Sequence, residues 1–266
     1  MGSGMVAVII SGGQGECACM GAEYVPKALL PVAGRPLLEH QLEWLRRADI
    51  DSVVLCLDCQ PERVRERFGD GSGSGVRLRY CVEPGIRGTA GTVKSLGPAS
   101  LPEDVVILPG DMLPDTDCGR MIRFHQAHSG LATLAFHDCR QKPAPAVCRG
   151  RGGTCAEHGC SGTAVILGPG GRIMDLPSRS SAGAGGLALS PLWVIRRGLL
   201  HFVPDAGSSD FVKDVFPAVV KAGETILGYG ETGTISDLGS PERYERFLRN
   251  RDRKRPASEA RAQGRA

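Results

Sequence analysis

Apolar residues in this chain fall into short unbroken runs separated by helical stripes. Val6-Ala7-Val8-Ile9-Ile10 is the first run, and it stops at Ser11-Gly12-Gly13. Continuous β-rich runs of this length fit strands buried on both faces of a parallel sheet. Leu37, Leu38, Leu42 and Leu45 then recur on a helical period, with Pro36 suited to a first turn, so a helix is expected over 36–48. The alternation continues with a strand at 53–57, a helix at 61–68, a Gly/Ser turn at 70–75 and strands at 76–82 and 105–108. A helix over 118–128 and a strand over 131–136 follow. Repeated strand–helix units of this kind predict an α/β fold, a Rossmann-like, mostly parallel sheet with helices on both faces.

The pattern breaks after Asp138. Residues 139–186 are rich in Gly, Cys, Ser and Pro, with strand-like pieces at 163–167 and near Ile173, and read as an irregular excursion from the sheet. Regularity returns with helices expected over 191–200, 211–222 and 241–248, and strands over 225–228 and 234–237. From Arg249 onward the chain is charged and poor in large apolar side chains, which predicts disorder. The expected organisation is one domain over 5–249 and a disordered basic tail over 250–266.

Composition narrows the function classes. An apolar content of 41% supports a sizeable core, and a net charge of +3 gives no reason to expect nucleic acid. No apolar run approaches the roughly 20 residues needed to cross a bilayer, so no membrane partner is expected. No basic region precedes a long apolar stretch at the N-terminus, so no secretory signal is read, and a cytoplasmic enzyme is expected. The residues before Met5 read as a cloning remnant. Ten cysteines at irregular spacing favour reduced thiols over a disulfide framework in that setting.

Ser11, Gly12, Gly13, Gln14 and Gly15 directly follow the first strand. Glycines there let backbone N–H groups approach phosphate oxygens. The continuation Val25-Pro26-Lys27-Ala28-Leu29-Leu30-Pro31-Val32-Ala33-Gly34-Arg35-Pro36 resembles the signature of sugar-phosphate nucleotidylyltransferases, the pyrophosphorylases that make nucleotide sugars. The segment Glu83-Pro84-Gly85-Ile86-Arg87-Gly88-Thr89 is similar to that family's base-binding segment. Leu108-Pro109-Gly110-Asp111 resembles its strand-end Gly-Asp, and Asp237-Leu238-Gly239-Ser240-Pro241-Glu242 its C-terminal carboxylate motif. Ser209-Asp210-Phe211-Val212-Lys213-Asp214 resembles a further recurring stretch, and the blocks occur in the family's order.

The resemblance implies transfer of a nucleoside monophosphate from a triphosphate to a sugar-1-phosphate or similar phosphorylated polyol, with release of pyrophosphate. It implies Mg²⁺ held by Asp111 and Asp237, Lys27 on the phosphates, and Glu83, Gly88 and Thr89 near the base. Such chemistry needs positioning and charge neutralisation more than a covalent intermediate. A homo-oligomer is compatible with the reading. The form of the base segment is nearer to mannose- and heptose-phosphate guanylyltransferases than to thymidylyltransferases.

The chain departs from the family in two places. The loop position that carries an arginine in the family is Cys17, with Glu16 beside it; Arg35 and Arg87 are the candidate replacements. The acceptor lysine motif is absent, which leaves Arg179 and Gly186 as the expected acceptor contacts. A catalytically reduced nucleotide-binding or regulatory subunit on the same fold is therefore the second reading. A third, a zinc- or thiol-based redox protein, would need the cysteines to converge. Cys148, Cys155, His158 and Cys160 fall within one Gly/Arg-rich stretch and fit a structural zinc ligand set, the alternative being reduced loop cysteines.

Overall fold

The computed structural model describes residues 4–11, 17–20, 23–82, 87–139, 162–178, 186–230 and 233–254. The chain alternates strand and helix from its start. β1 (Val6–Ser11) leads through two short hairpins to α1 (Leu37–Arg46), β2 (Ser52–Leu57), α2 (Pro61–Phe68) and β3 (Arg77–Val82). Then come α3 (Gly88–Ser95), β4 (Asp104–Pro109), β5 (Met112–Asp115), α4 (Cys118–Gln126) and β6 (Ala132–Asp138). The C-terminal part contributes β7 (Leu187–Arg196), α5 (Phe216–Lys221), β8 (Ile226–Gly230), β9 (Thr234–Asp237) and α6 (Pro241–Lys254).

Seven strands form one sheet in the order β8-β6-β7-β4-β1-β2-β3. All neighbouring pairs are parallel except those made by β7, which runs antiparallel to both β6 and β4. Every residue of β1 is buried, as its unbroken apolar run requires. Its alternate side chains feed two cores. Val6, Val8 and Ile10 join α3, Phe211, Val215, Phe216 and Val219 on one face. Ala7 and Ile9 join Leu38, Leu42 and Leu45 of α1, Val64 of α2 and Met121 and Ile122 of α4 on the other. The sheet is mostly parallel with helices on both faces, as the alternation predicts.

The structure corrects several expectations. Residues 191–196 are strand, not helix: β7 is a central antiparallel strand, followed by a 3-10 turn over Arg197–Phe202. Pro191 lies opposite the point where the β6 register shifts, between Leu134 and Phe136, so its missing N–H interrupts a ladder that is already irregular. Helix α3 does not stand out in the sequence, because Gly88-Thr89-Ala90-Gly91-Thr92 has little apolar periodicity. The segment expected as one helix over 211–222 is a π-helical turn, Phe211–Val215, that passes into α5. Asp210 caps it by accepting from the N–H groups of Val212 and Lys213. Phe211 and Phe216 stack, and each meets Trp193 of β7 edge-on. Helix α6 continues to Lys254, past the expected onset of disorder at Arg249.

The described part of the excursion is stitched to the sheet. Ile166–Leu167 pairs with Ile173–Asp175, and bridges join Thr163 to Ser178, Ala164 to Ala188 and Arg172 to Leu227. Cys118 and Cys139 are free thiols, whereas Cys59 is disulfide-bonded, where reduced thiols were favoured over a disulfide framework. No helix among the described residues is long and apolar enough to cross a membrane.

Candidate active site

The sheet order creates a crevice. From β1 the chain winds outward through β2 and β3, then returns to place β4 on the other side of β1. At such a switch point the loops leaving the two strands diverge, and ligands bind outside the carboxyl ends. Ser11 and the Pro109-Gly110-Asp111 turn end there. The Gly110 N–H donates to the Ile10 carbonyl at 2.7 Å. A Cβ on Gly110 would lie 2.4 Å from the Ser11 Cβ and 3.0 Å from its Cα, so only glycine lets the two strand ends close up. Asp111 is thereby fixed at the mouth of the crevice.

Asp237 reaches the same point by a different route. β5 and β9 form an antiparallel ribbon in which Asp237 pairs with Met112, and the Leu238 N–H donates to the Asp111 carbonyl at 2.9 Å. The turn that follows brings Gly239 between the carboxylates. A Cβ there would lie 2.5 Å from Asp111 Oδ2 and 3.0 Å from Asp237 Oδ1. Two carboxylate oxygens from sequence-distant segments thus face one small space that only a side-chain-free residue leaves open. The Gly239 N–H donates to Asp237 Oδ1 at 2.8 Å and fixes that oxygen's direction.

Lys27 completes the group. It opens a 3-10 turn whose Ala28 and the following Leu30 are buried. Leu30 packs with Val32, Leu37, Leu238 and Tyr244, and the Tyr244 hydroxyl donates to the Pro31 carbonyl. This small core clamps the lysine segment against α6. The Lys27 Nζ lies 3.1 Å from Asp111 Oδ2, with the two side chains 12% and 22% exposed: sheltered enough to be ordered, open enough to meet a ligand. On the other side Arg243 of α6 pairs with Asp237 Oδ2.

A further residue holds the Asp111 turn in place and was not singled out from the sequence. Gln41, fully buried, donates from Nε2 to the carbonyls of Met112 at 2.7 Å and Pro109 at 3.3 Å, bracketing Asp111. Its signal was a lone polar side chain on the otherwise apolar stripe of α1, beside Leu38, Leu42 and Leu45.

The other expected site residues divide. Gly88 has φ +70°, and a Cβ there would lie 2.4 Å from the Ser209 carbonyl oxygen. Ala90 and Gly91 donate to that same oxygen. The Thr89 hydroxyl donates to Asp210 at 2.9 Å and accepts from the Phe211 N–H at 3.0 Å. Thr89 therefore ties α3 to the Asp210 turn, and its hydroxyl is engaged in that tie. Gly186 lies at the start of β7, on the same edge as Asp111, and its carbonyl accepts from Cys139 N–H. Arg35 does not replace the missing loop arginine, because its guanidinium is held by Glu39 at 2.7 Å and Glu43 at 3.1 Å on α1. Arg87 is exposed at the start of α3. Gly12, Gly13, Gln14, Gly15, Glu83, Arg179, Cys148, Cys155, His158 and Cys160 lie outside the described residues. Among the described residues no group of three or more His, Cys, Asp or Glu side chains is placed to hold a metal ion. Two carboxylates that share one small space, with a lysine ammonium beside them, are a donor set that suits Mg²⁺, which takes its remaining ligands from phosphate and water.

Comparison with known proteins identifies the family. A mannose-1-phosphate guanylyltransferase of Mycobacterium tuberculosis is 25% identical over 241 residues, 90% of this chain and 62% of the relative. A UTP–glucose-1-phosphate uridylyltransferase of Synechocystis is 22% identical over 92% of this chain and 63% of its own length. The chain thus spans about three fifths of the length of these relatives. HddC from Yersinia pseudotuberculosis, solved in complex with GMP-PN, superposes with a TM-score of 0.67 at 14% identity, covering 91% of this chain and 96% of that one, a likeness of fold. The nucleotidyl transferase family model matches residues 6–146, just over half of the chain, and carries Ser11, Lys27 and Asp111 within it. The chain belongs to the nucleotidyl transferase family.

Proposed function

We propose that this protein transfers a nucleoside monophosphate from a nucleoside triphosphate to a sugar-1-phosphate, releasing pyrophosphate, with Mg²⁺ held by Asp111 and Asp237. The observation that carries the reading is the convergence of these two carboxylates and Lys27 at the switch point of a family sheet. An acceptor phosphate oxygen attacks the α-phosphorus; a new P–O bond forms as the bond to the β-phosphate oxygen breaks, and pyrophosphate departs. The attacking oxygen is already anionic, so no general base is required. Lys27 neutralises the crowded phosphates and steadies the leaving group. A Mg²⁺ ion bound at the two aspartates would neutralise phosphate charge and align the reacting oxygens.

GTP is the first base to test, since the base-segment resemblance and the M. tuberculosis relative point to guanylyl transfer, and the Synechocystis relative makes UTP the second. We place the enzyme in the cytoplasm, where both substrates are made. The structural zinc reading of Cys148, Cys155, His158 and Cys160 stands as a separate proposal, checked by elemental analysis of protein purified without added metal.

The test is pyrophosphate release from each triphosphate with Mg²⁺ and a panel of sugar-1-phosphates. Release that requires both substrates and Mg²⁺ supports the reading. Triphosphate binding with no release under any pairing would identify instead a nucleotide-binding subunit, the reading favoured by cysteine at position 17.

A further inference from the structure

Both carboxylates of the candidate metal site already carry a cation of their own. Lys27 is on Asp111 Oδ2 and Arg243 is on Asp237 Oδ2. The four charges cancel. The pairing is also divided by face: Asp237 Oδ1 is turned to the space it shares with Asp111 Oδ2, while Oδ2 is turned to the guanidinium. Arg243 therefore does not block the shared space; it stands beside it.

Arg243 has capacity to spare. Its guanidinium spends one N–H direction on Asp237, and its side chain is 33% exposed. The other N–H groups of the fork have no partner among the described residues, and a planar five-donor group suits phosphate oxygens. Its backbone is held independently, since the Arg243 N–H donates to Ser240 Oγ in the first turn of α6. Helix α6 also lies alongside the strand Cys17–Met20, which continues the glycine-rich loop. The guanidinium thus projects from an element that contacts this strand, in a chain that carries no arginine at the loop position itself.

We propose that Arg243 is a polyphosphate-binding residue, and that together with Lys27 it makes the Asp111–Asp237 site accept a divalent cation as its polyphosphate complex rather than as the bare ion. The proposal rests on the nucleotidyl-transfer reading of the same site. A bare dication entering the shared space meets two carboxylates whose charge is already neutralised, and is repelled by the ammonium and guanidinium behind them. A metal–polyphosphate complex is anionic overall. Its metal takes over neutralisation of the carboxylates, and its phosphate oxygens accept from the two cations. Lys27 and Arg243 change partner and keep their charge compensated throughout.

The consequence is a pair of effects of opposite sign. Removing the Arg243 charge weakens binding of the metal–polyphosphate complex and leaves binding of the bare ion unchanged or tighter. A merely structural arginine would weaken both. The test is equilibrium dialysis of the whole protein with Mn²⁺, alone and premixed with equimolar inorganic tripolyphosphate, a probe that removes the base and acceptor from the question. For Arg243→Met, Mn–tripolyphosphate binding is expected to fall about tenfold, the loss of one charge-assisted contact, with no loss for Mn²⁺ alone. Arg243→Lys is expected to recover most of that loss, since it restores the charge without the fork. Parallel weakening of both ligands overturns the proposal, as does Mn–tripolyphosphate binding by Arg243→Met within twofold of the parent. If the parent protein itself fails to bind Mn–tripolyphosphate, the nucleotidyl-transfer reading falls together with it.

Discussion

Replacing Gly239 by alanine puts a methyl group into the space between the two aspartates. The new Cβ would stand 2.5 Å from Asp111 Oδ2 and 3.0 Å from Asp237 Oδ1, well inside van der Waals contact. Restoring an ordinary heavy-atom separation of about 3.5 Å moves the Asp111 oxygen by about 1 Å. That shift is easy for the fold, because both clashing atoms are the far ends of side chains at the crevice mouth. The chief loss is the Lys27–Asp111 pair, and for a partly exposed ion pair that is about 1 kcal/mol or less. In a chain of this size such a change lowers Tm by roughly 2–4 °C. The chemistry is far less tolerant, since a misplacement of about 1 Å can cost on the order of 100-fold in rate. Gly239→Ala is therefore expected to retain its fold and lose about two orders of magnitude in Mg²⁺-dependent pyrophosphate release. Thermal denaturation and a continuous pyrophosphate assay measure the two sides. Parent-like turnover at the parent's Mg²⁺ requirement would refute the reasoning, because the carboxylates would then have no need of that shared space.

Three other outcomes follow from the same geometry. Lys27→Ala should weaken triphosphate binding about tenfold or more and slow turnover; unchanged affinity in titration calorimetry together with an unchanged rate would make Lys27 a bystander. Gly88→Ala should destabilise by about 2–4 kcal/mol, from strain at positive φ plus the clash with the Ser209 carbonyl, and a urea midpoint equal to the parent's would contradict the packing described. Stability should also fall as pH drops from about 6.5 to about 4, because burial pushes the His125 pKa down to about 4, with Asp104 partly opposing, and burial lowers that of His128. Histidines held neutral in the fold stabilise it above their unfolded pKa and lose that contribution as the unfolded chain takes up protons first. His125→Gln should flatten the urea midpoint over that interval, and an equally steep decline in the variant would rule His125 out as the source.

Much of this fold was legible because buried parallel strands announce themselves. The all-apolar run of β1 ends at Ser-Gly-Gly in the sequence and is the buried strand it was read as, and the strand at 234–237 was located to the residue. β7 was misread for a physical reason. Pro191-Leu192-Trp193-Val194-Ile195 is a short apolar run behind a proline, and periodicity alone does not separate a buried strand from a helix that begins with proline. Tertiary context decides it: the run fills the gap between β6 and β4 and is buried along almost its whole length. Helix α3 was hidden because an outside group, the Ser209 carbonyl, satisfies its first N–H donors in place of a side-chain cap.

The site was legible one residue at a time and not as an arrangement. Lys27, Asp111 and Asp237 stood out through their motifs, and the structure brings all three together. The opening at Gly239, the Gln41 brace and the pairing of Arg243 with Asp237 depend on side chains meeting across segments far apart in the chain, which no spacing rule encodes. Arg35 shows the converse. It sits beside the motif in sequence, yet two glutamates of the helix that follows it hold its guanidinium.

The central claim is that the bond broken lies between the α- and β-phosphates and that the α-phosphorus goes to a sugar phosphate. Following the label from α-³²P and γ-³²P triphosphates in parallel, with Mg²⁺ and a sugar-1-phosphate, tests it directly. The account predicts that the α label appears in a nucleoside diphosphate sugar and the γ label in pyrophosphate, in equal amounts, with neither formed by Asp111→Asn. Release of the γ label as orthophosphate, or an α label that never reaches a sugar product with any acceptor, would contradict it.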